Sequence, residues 1–288
     1  MSQIKYAGKK KTYMSFTARQ KVPRRLFVTA RFPISNSLIA HFDDLKRSNP
    51  NYSMEIYHDE EIESYIESNW GRFVLDLYQC IGTEYYAAKI DLWRWLIIYD
   101  KGGIYLDDKS GPVKTFDRLI KQNDEFVIST WGENKDLWRE SHGHAGGEFA
   151  NWCLISTPQH PLSKLVISDI LCRIVNSNGK EFGKQGVLRL TGPIGSTTTI
   201  LDNIKNYSRG VRIMKNSFGR KMYYNALVKT MTCSKSHHPL RSGDRDYRSQ
   251  TTPILDLERV NQVVQSKGIT SNDQMVDWIF SDFDSNSN

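Results

Sequence analysis

An acid and an arginine, Asp91 and Arg94, stand three residues apart inside the apolar run AKIDLWRWLIIYDKGG, and the stretch GIYLDDK that follows ends in Asp107, Asp108 and Lys109. On a helix, residues three apart are neighbours, so the two side chains can meet. An inward-facing carboxylate needs such a partner, because an unpaired buried charge costs roughly 3 kcal/mol or more. The two aspartates fall where a strand should run out, and ligands of open α/β sheets bind beyond the carboxyl ends of strands. Acids there can ligate a hard cation, which in turn neutralises a diphosphate. A structural ion pair would explain Asp91 and Arg94 alone, and a surface turn would explain Asp-Asp alone. The joint pattern is more specific than either part, because Gly102-Gly103 ties helix end and strand end into one unit.

The elements that must position these groups are legible from period and punctuation. Ala88, Leu92, Trp95, Leu96 and Tyr99 recur at three- and four-residue spacing, which predicts a helix with a core-facing stripe ending near Asp100. Gly102-Gly103 stops it, and GIYLD is the next strand. RRLFVTA (24–30), YSMEIYHD, EFVIST and NWCLIST read as further strands. ISNSLIAHFDDLKRSNP, DEEIESYIESN and PLSKLVISDILCRIVNSNG read as helices, the second opening on acids as a helix N-terminus should. Strands alternating with helices predict α/β layers around a largely parallel sheet. From about 210 the pattern is irregular.

The 288 residues suit one large α/β domain, with 39% hydrophobic and 25% charged residues, as in soluble globular chains. Residues 1–20 read as a basic arm, 21–280 as a single domain and 281–288, SDFDSNSN, as a polar tail. The net charge of +7 favours an anionic partner without naming it. A nucleic-acid partner would rest on the basic arm alone, with no interleaved aromatic-basic motif, and none is expected. Cys80, Cys153, Cys172 and Cys233 form no CxxC pair, which argues against a zinc site or disulfide scaffold. No secretory signal and no transmembrane run is read, so a cytoplasmic protein is expected.

AAKIDLWRWLIIYDKGGIYLD resembles the signature of the DXD-motif glycosyltransferases that include Golgi mannosyl- and galactosyltransferases and capsular-polysaccharide enzymes, with a more distant likeness to the clostridial glucosylating toxins. VPRRLFV, NPNYSMEIYHDEEIESYIESN, NWCLISTPQHPL and TGP at 191–193 are similar to other landmarks, so roughly 22–195 is covered. The resemblance implies a GT-A fold, a Rossmann-like nucleotide-sugar-binding domain with helices on both faces of a mostly parallel sheet. It implies transfer of a sugar from a UDP- or GDP-linked donor to a glycan or other hydroxyl acceptor, with retention, and Mn2+ or Mg2+ as cofactor. Under it Asp91, Arg94 and Asp107 are the catalytic residues. Thr29, Gly103, Tyr105, Asp108 and Lys109 join them around the donor, and Asp107, Asp108 and His238 are candidate metal ligands. The missing anchor fits a bacterial or viral enzyme.

The chain departs from the family in two places. The second DXD acid should be residue 109, where Lys109 stands. Either Asp108 serves as ligand, or the Lys109 ammonium supplies the charge itself, or catalysis has been lost and the protein only binds a nucleotide sugar. LFVTA (26–30) replaces a common His-Gln-Thr-Trp and keeps only Thr29. Glu148, Asn151 and Trp152 are candidates for the acceptor or sugar pocket, although a strand tryptophan is more often core. SHGHAGGEFA (141–150) is a candidate lid. His237-His238 resembles a late family histidine, with a surface pair as the alternative. His160 reads as structural. TGPIGSTTT lacks the lysine of a phosphate-binding P-loop and reads as a helix cap.

Overall fold

In the computed structural model, which describes residues 20–130, 148–214, 222–223 and 247–286, a six-stranded sheet carries the chain. The elements are β1 (Arg25–Thr29), α1 (Asn36–Ser48), β2 (Ser53–Tyr57), α2 (Asp59–Gln79), α3 (Tyr86–Lys101), β3 (Gly103–Asp107), β4 (Gly111–Pro112), α4 (Phe116–Leu119), β5 (Phe126–Thr130) and β6 (Phe149–Ser156). They continue with α5 (Pro161–Val175), α6 (Gly183–Leu190), α7 (Pro193–Asn203), β7 (Val211–Met214), β8 (Met222–Tyr223), α8 (Leu257–Ser266) and α9 (Asn272–Asn286). The sheet order is β2-β1-β3-β6-β5-β7, with β4 and β8 paired separately. β2, β1 and β3 are parallel, β6 is antiparallel to both β3 and β5, and β7 is parallel to β5. Only β6 runs against its fellows, so the expected mostly parallel α/β sheet is present.

Local chemistry sets the helix ends. The Ser35 hydroxyl accepts from Leu38 N to cap α1, and the Glu61 carboxylate reaches back to His58 N at 2.9 Å at the start of α2. Alternation along the strands divides the core in two. Phe27, Tyr105, Phe126, Ile128 and Leu154 face α2, α3 and α5, whereas Leu26, Val28, Ile104, Leu106, Val127 and Trp152 face α1 and α4. Helices therefore cover both faces.

Three expectations change. The helix α3 has no single core-facing stripe: every residue from Ala88 to Tyr99 is buried, as befits a helix enclosed between the sheet and α2 and α5. The helix after YSMEIYHD runs to Gln79, ten residues past the stretch read as helical, with a break at Gly71 (φ 79°). Of the residues expected as a polar tail, 281–286 belong instead to α9, whose Phe283 is fully buried with its ring 4.4 Å from Trp70. Met275, Ile279 and Phe283 recur at helical spacing, and the surrounding Asp, Ser and Asn residues mask that signal. Cys80, Cys153 and Cys172 are free thiols, and Cys233 lies outside the described residues. Among the described residues, no helix is long and apolar enough to cross a membrane.

Candidate functional site

The glycines after α3 bring its polar residues to the end of β3. Gly102 (φ 59°) and Gly103 (φ 103°) occupy backbone regions that side chains rarely adopt, and a Cβ on Gly103 would stand 2.7 Å from Arg25 O. The chain thus reverses within two residues, and β3 runs back alongside α3. Arg94, two turns before the helix end, then lies beside Asp107.

Arg94 is the hub. Its Nη2 is 3.2 Å from Asp91 Oδ1 and its Nη1 is 3.2 Å from Asp107 Oδ1. Nη1 also donates to Asn151 O at 2.6 Å, and Nε donates to Ile90 O at 3.1 Å. The guanidinium carbon lies 4.8 Å from the centre of the Tyr105 ring. Asp91 accepts from Asn151 Nδ2 at 2.7 Å and from Thr191 Oγ1 at 3.5 Å. Asp107 accepts from the Tyr105 hydroxyl at 3.3 Å; the two share a strand face, being two residues apart. Burial pushes the Asp91 carboxyl up to about 6 against the pull of Arg94, with the Asp107 charge adding to the rise. Burial raises Asp107 too, opposed by Arg94 and the Tyr105 hydroxyl. Asp107 still keeps 26% of its side chain open to solvent, whereas Asp91 keeps 7%.

Beyond Asp107 the chain turns tightly. Ser110, fully buried, donates to Asp107 O through both N (2.9 Å) and Oγ (2.8 Å), leaving Asp108 and Lys109 half-buried at the apex. Thr29 is paired with Asp107 across β1 and β3, and with Tyr57 across β1 and β2. Next to them the Arg31 guanidinium sits 3.7 Å over the Tyr86 ring, and exposed Phe32 meets the His58 ring edge-on at 3.6 Å. Because β6 is reversed, its first residues reach this same rim.

The structure thus brings together Asp91, Arg94, Tyr105, Asp107, Asn151 and, at the rim, Thr29, Asp108 and Lys109. Gly103 is at the opposite end of β3 and acts through the reversal. Trp152 does not join them: alternation along β6 turns it to the other sheet face, in the core with Leu106 and Val127. Glu148 immediately precedes β6, near Lys184, whose pKa burial and Arg248 lower while the Glu148 charge opposes them. His160 caps α5 at the far end of the sheet, accepting from Leu162 N at 3.2 Å and stacking on Phe126, a structural role as expected. TGPIGSTTT does cap a helix: Gly192 and Pro193 open α7, and Thr197 Oγ1 accepts from Phe149 N at 2.8 Å. Thr191, the first residue of that stretch, also serves Asp91, a role the sequence reading missed. His237, His238 and residues 141–147 of the lid candidate lie outside the described residues.

The described donor set does not by itself make a divalent-cation site. Asp107 and Asp108 are adjacent, but one oxygen of Asp107 faces Arg94, and position 109 offers an ammonium. Among the described residues, no group of three His, Cys, Asp or Glu side chains could hold a metal ion.

Residues 35–126 match the family model for the glycosyltransferase sugar-binding region containing a DXD motif. The resemblance to DXD-motif glycosyltransferases stands. That segment holds Asp91, Arg94, Asp107, Asp108 and Lys109. The initiation-specific alpha-1,6-mannosyltransferase of Schizosaccharomyces pombe is 23% identical over 210 residues, covering 68% of this chain and 52% of that protein. The chain thus spans about half the length of this curated relative. Among solved structures, the PaToxG glycosyltransferase aligns with a TM-score of 0.48 at 18% identity, covering 65% of this chain and 71% of its own. The catalytic domain of alpha-toxin from Clostridium novyi aligns with a TM-score of 0.36 at 12% identity, covering 65% and 64%.

Proposed function

We propose that this rim binds a nucleotide sugar and transfers its sugar, with retention, to a hydroxyl of a glycan acceptor. The observation that carries the reading is one guanidinium holding Asp91 and Asp107 together at the carboxyl end of β3. Asp107, the more open acid, faces the donor, and Asp91 orients the sugar from below. Arg94 is occupied by carboxylates and a carbonyl, so it positions the acids rather than gripping the diphosphate. Lys109, at the apex of the turn, supplies positive charge to the departing diphosphate, where charge develops in the transition state. Thr29, Arg31 and Tyr86 line the side of the rim open to the nucleoside.

In the reaction, the bond between the anomeric carbon and the diphosphate oxygen breaks, and the nucleoside diphosphate leaves with the electron pair. The acceptor oxygen forms its bond to the anomeric carbon on the same face, and the acceptor proton passes to the departing phosphate oxygen.

The test is a panel of UDP- and GDP-sugars, the mannosyl donor included, assayed for hydrolysis and thermal shift with Mn2+ and with EDTA. Turnover of one donor that is lost in Asp107→Ala supports the reading and names the sugar; a panel in which no donor binds refutes it. The second reading, a nucleotide-sugar binder without catalysis, is favoured by the ammonium at position 109. Binding without turnover, even with candidate acceptors, would select it.

A further inference from the structure

The turn that carries Asp107, Asp108 and Lys109 is held from a helix far from it in sequence. His41 lies on the sheet-facing side of α1 with Leu38, Phe42 and Leu45, all buried. Its Nε2 is 3.2 Å from the carbonyl oxygen of Ser110, 69 residues along the chain. An apolar side chain would suit this face better on its own, because a buried imidazole costs free energy unless its nitrogen finds a partner. Burial indeed lowers the His41 pKa, with the Ser110 carbonyl pulling the other way, so the neutral ring is the resting form. A neutral ring must carry its proton on Nε2 to donate to that carbonyl.

Ser110 links the imidazole to the acid. Its N–H and hydroxyl both close on Asp107 O, so the residue that receives His41 on one side clasps Asp107 on the other. Arg94 from α3 holds the turn at its first carboxylate, and His41 from α1 holds it at its last carbonyl. Without the His41 bond, a buried carbonyl loses a partner, and the turn loosens beyond Asp107.

We propose that His41 is a positioning residue, holding the Asp107–Lys109 turn in the geometry that receives the donor diphosphate. The inference rests on the functional reading above. His41→Leu fills the apolar space without the donor nitrogen, and His41→Gln returns an amide donor of similar reach. Hydrogen exchange reads the turn directly, whatever the protein's activity. The amides of 108–111 in His41→Leu are expected to exchange about tenfold faster, the effect of losing one buried hydrogen bond, with α3 and β1 unchanged. His41→Gln should restore most of that protection.

With the turning-over donor, kcat/KM of His41→Leu is expected to fall about tenfold and to recover in His41→Gln. Unchanged exchange at the turn overturns the proposal. So does faster exchange spread evenly over the fold, or a loosened turn with unaltered kcat/KM. Failure of the glycosyltransferase reading itself would show separately, as a wild-type protein that binds no donor.

Discussion

Arg94 Nη1 stands 3.2 Å from Asp107 Oδ1 although thirteen residues and a two-glycine reversal separate them. The same guanidinium holds Asp91 at the same distance, so one cation compensates two acids. Arg94→Ala leaves both without it. Breaking a buried pair from one side costs about 3–5 kcal/mol, and urea unfolding is expected to show a loss of that order. Arg94→Lys should recover only part, because one ammonium cannot match the planar fork that meets Asp91, Asp107 and Asn151 O together.

Asp107→Asn separates chemistry from folding. Asp107 is already raised in pKa by burial, so a neutral isostere loses little stability, and Tm should move by only a few degrees. Donor turnover, by contrast, is expected to fall about 100-fold or more if, as proposed, the Asp107 charge faces the donor. A parallel collapse of Tm would assign the residue to the fold instead.

Under the proposed function, Lys109 takes the place of a cation. With the ammonium in place, donor turnover is expected to persist in EDTA. Lys109→Asp restores the acid of a DXD motif and should make turnover depend on added Mn2+, measured as activity against metal concentration. Loss of wild-type activity in EDTA would give the charge to a metal held by Asp107, Asp108 and residues beyond those described.

Two buried groups pull stability in opposite directions with pH. Burial lowers His160 from 6.5 to about 4, so between those values the unfolded chain holds more protons and the fold weakens as pH falls. Asp91 is raised from 3.8 to about 6, so there the fold holds more protons, and this contribution is lost as pH climbs toward 6. Asp91→Asn removes only the second effect. Its Tm should therefore rise more steeply than that of the wild type between about pH 4 and pH 6; parallel curves would contradict the assignment.

Gly103→Ala tests the reversal. The substitution places a Cβ 2.7 Å from Arg25 O at φ 103°, strain of about 1–3 kcal/mol before any shift of β1. A lower Tm together with weakened donor binding is expected, because β3 carries Asp107 at its other end.

Much of the fold was legible because alternation and helical spacing are local. β1, β2, β3, β5 and β6 lie where the residue patterns put them, and Gly102-Gly103 marked the reversal. The site was legible in part for the same reason, since Asp91, Arg94 and Asp107 sit in one continuous stretch. Their partners were not. Asn151 and Thr191 reach Asp91 from 60 and 100 residues away, and His41 reaches Ser110 across 69. No spacing rule in one sequence announces such a meeting. Trp152, a pocket candidate whose commoner role is core, proves to be core, because alternation gives two faces and here both are packed.

The packing of α9 on α2 bears on how the protein is made. Trp70 and Phe73 of α2 have as neighbours Phe283 and Trp278, roughly two hundred residues later in the chain. While the chain is being synthesised, the larger core stays uncovered on that side until α9 has left the ribosome. How long that apolar face stays open to aggregation is then set by the emergence of α9 rather than by the strands that carry the acids.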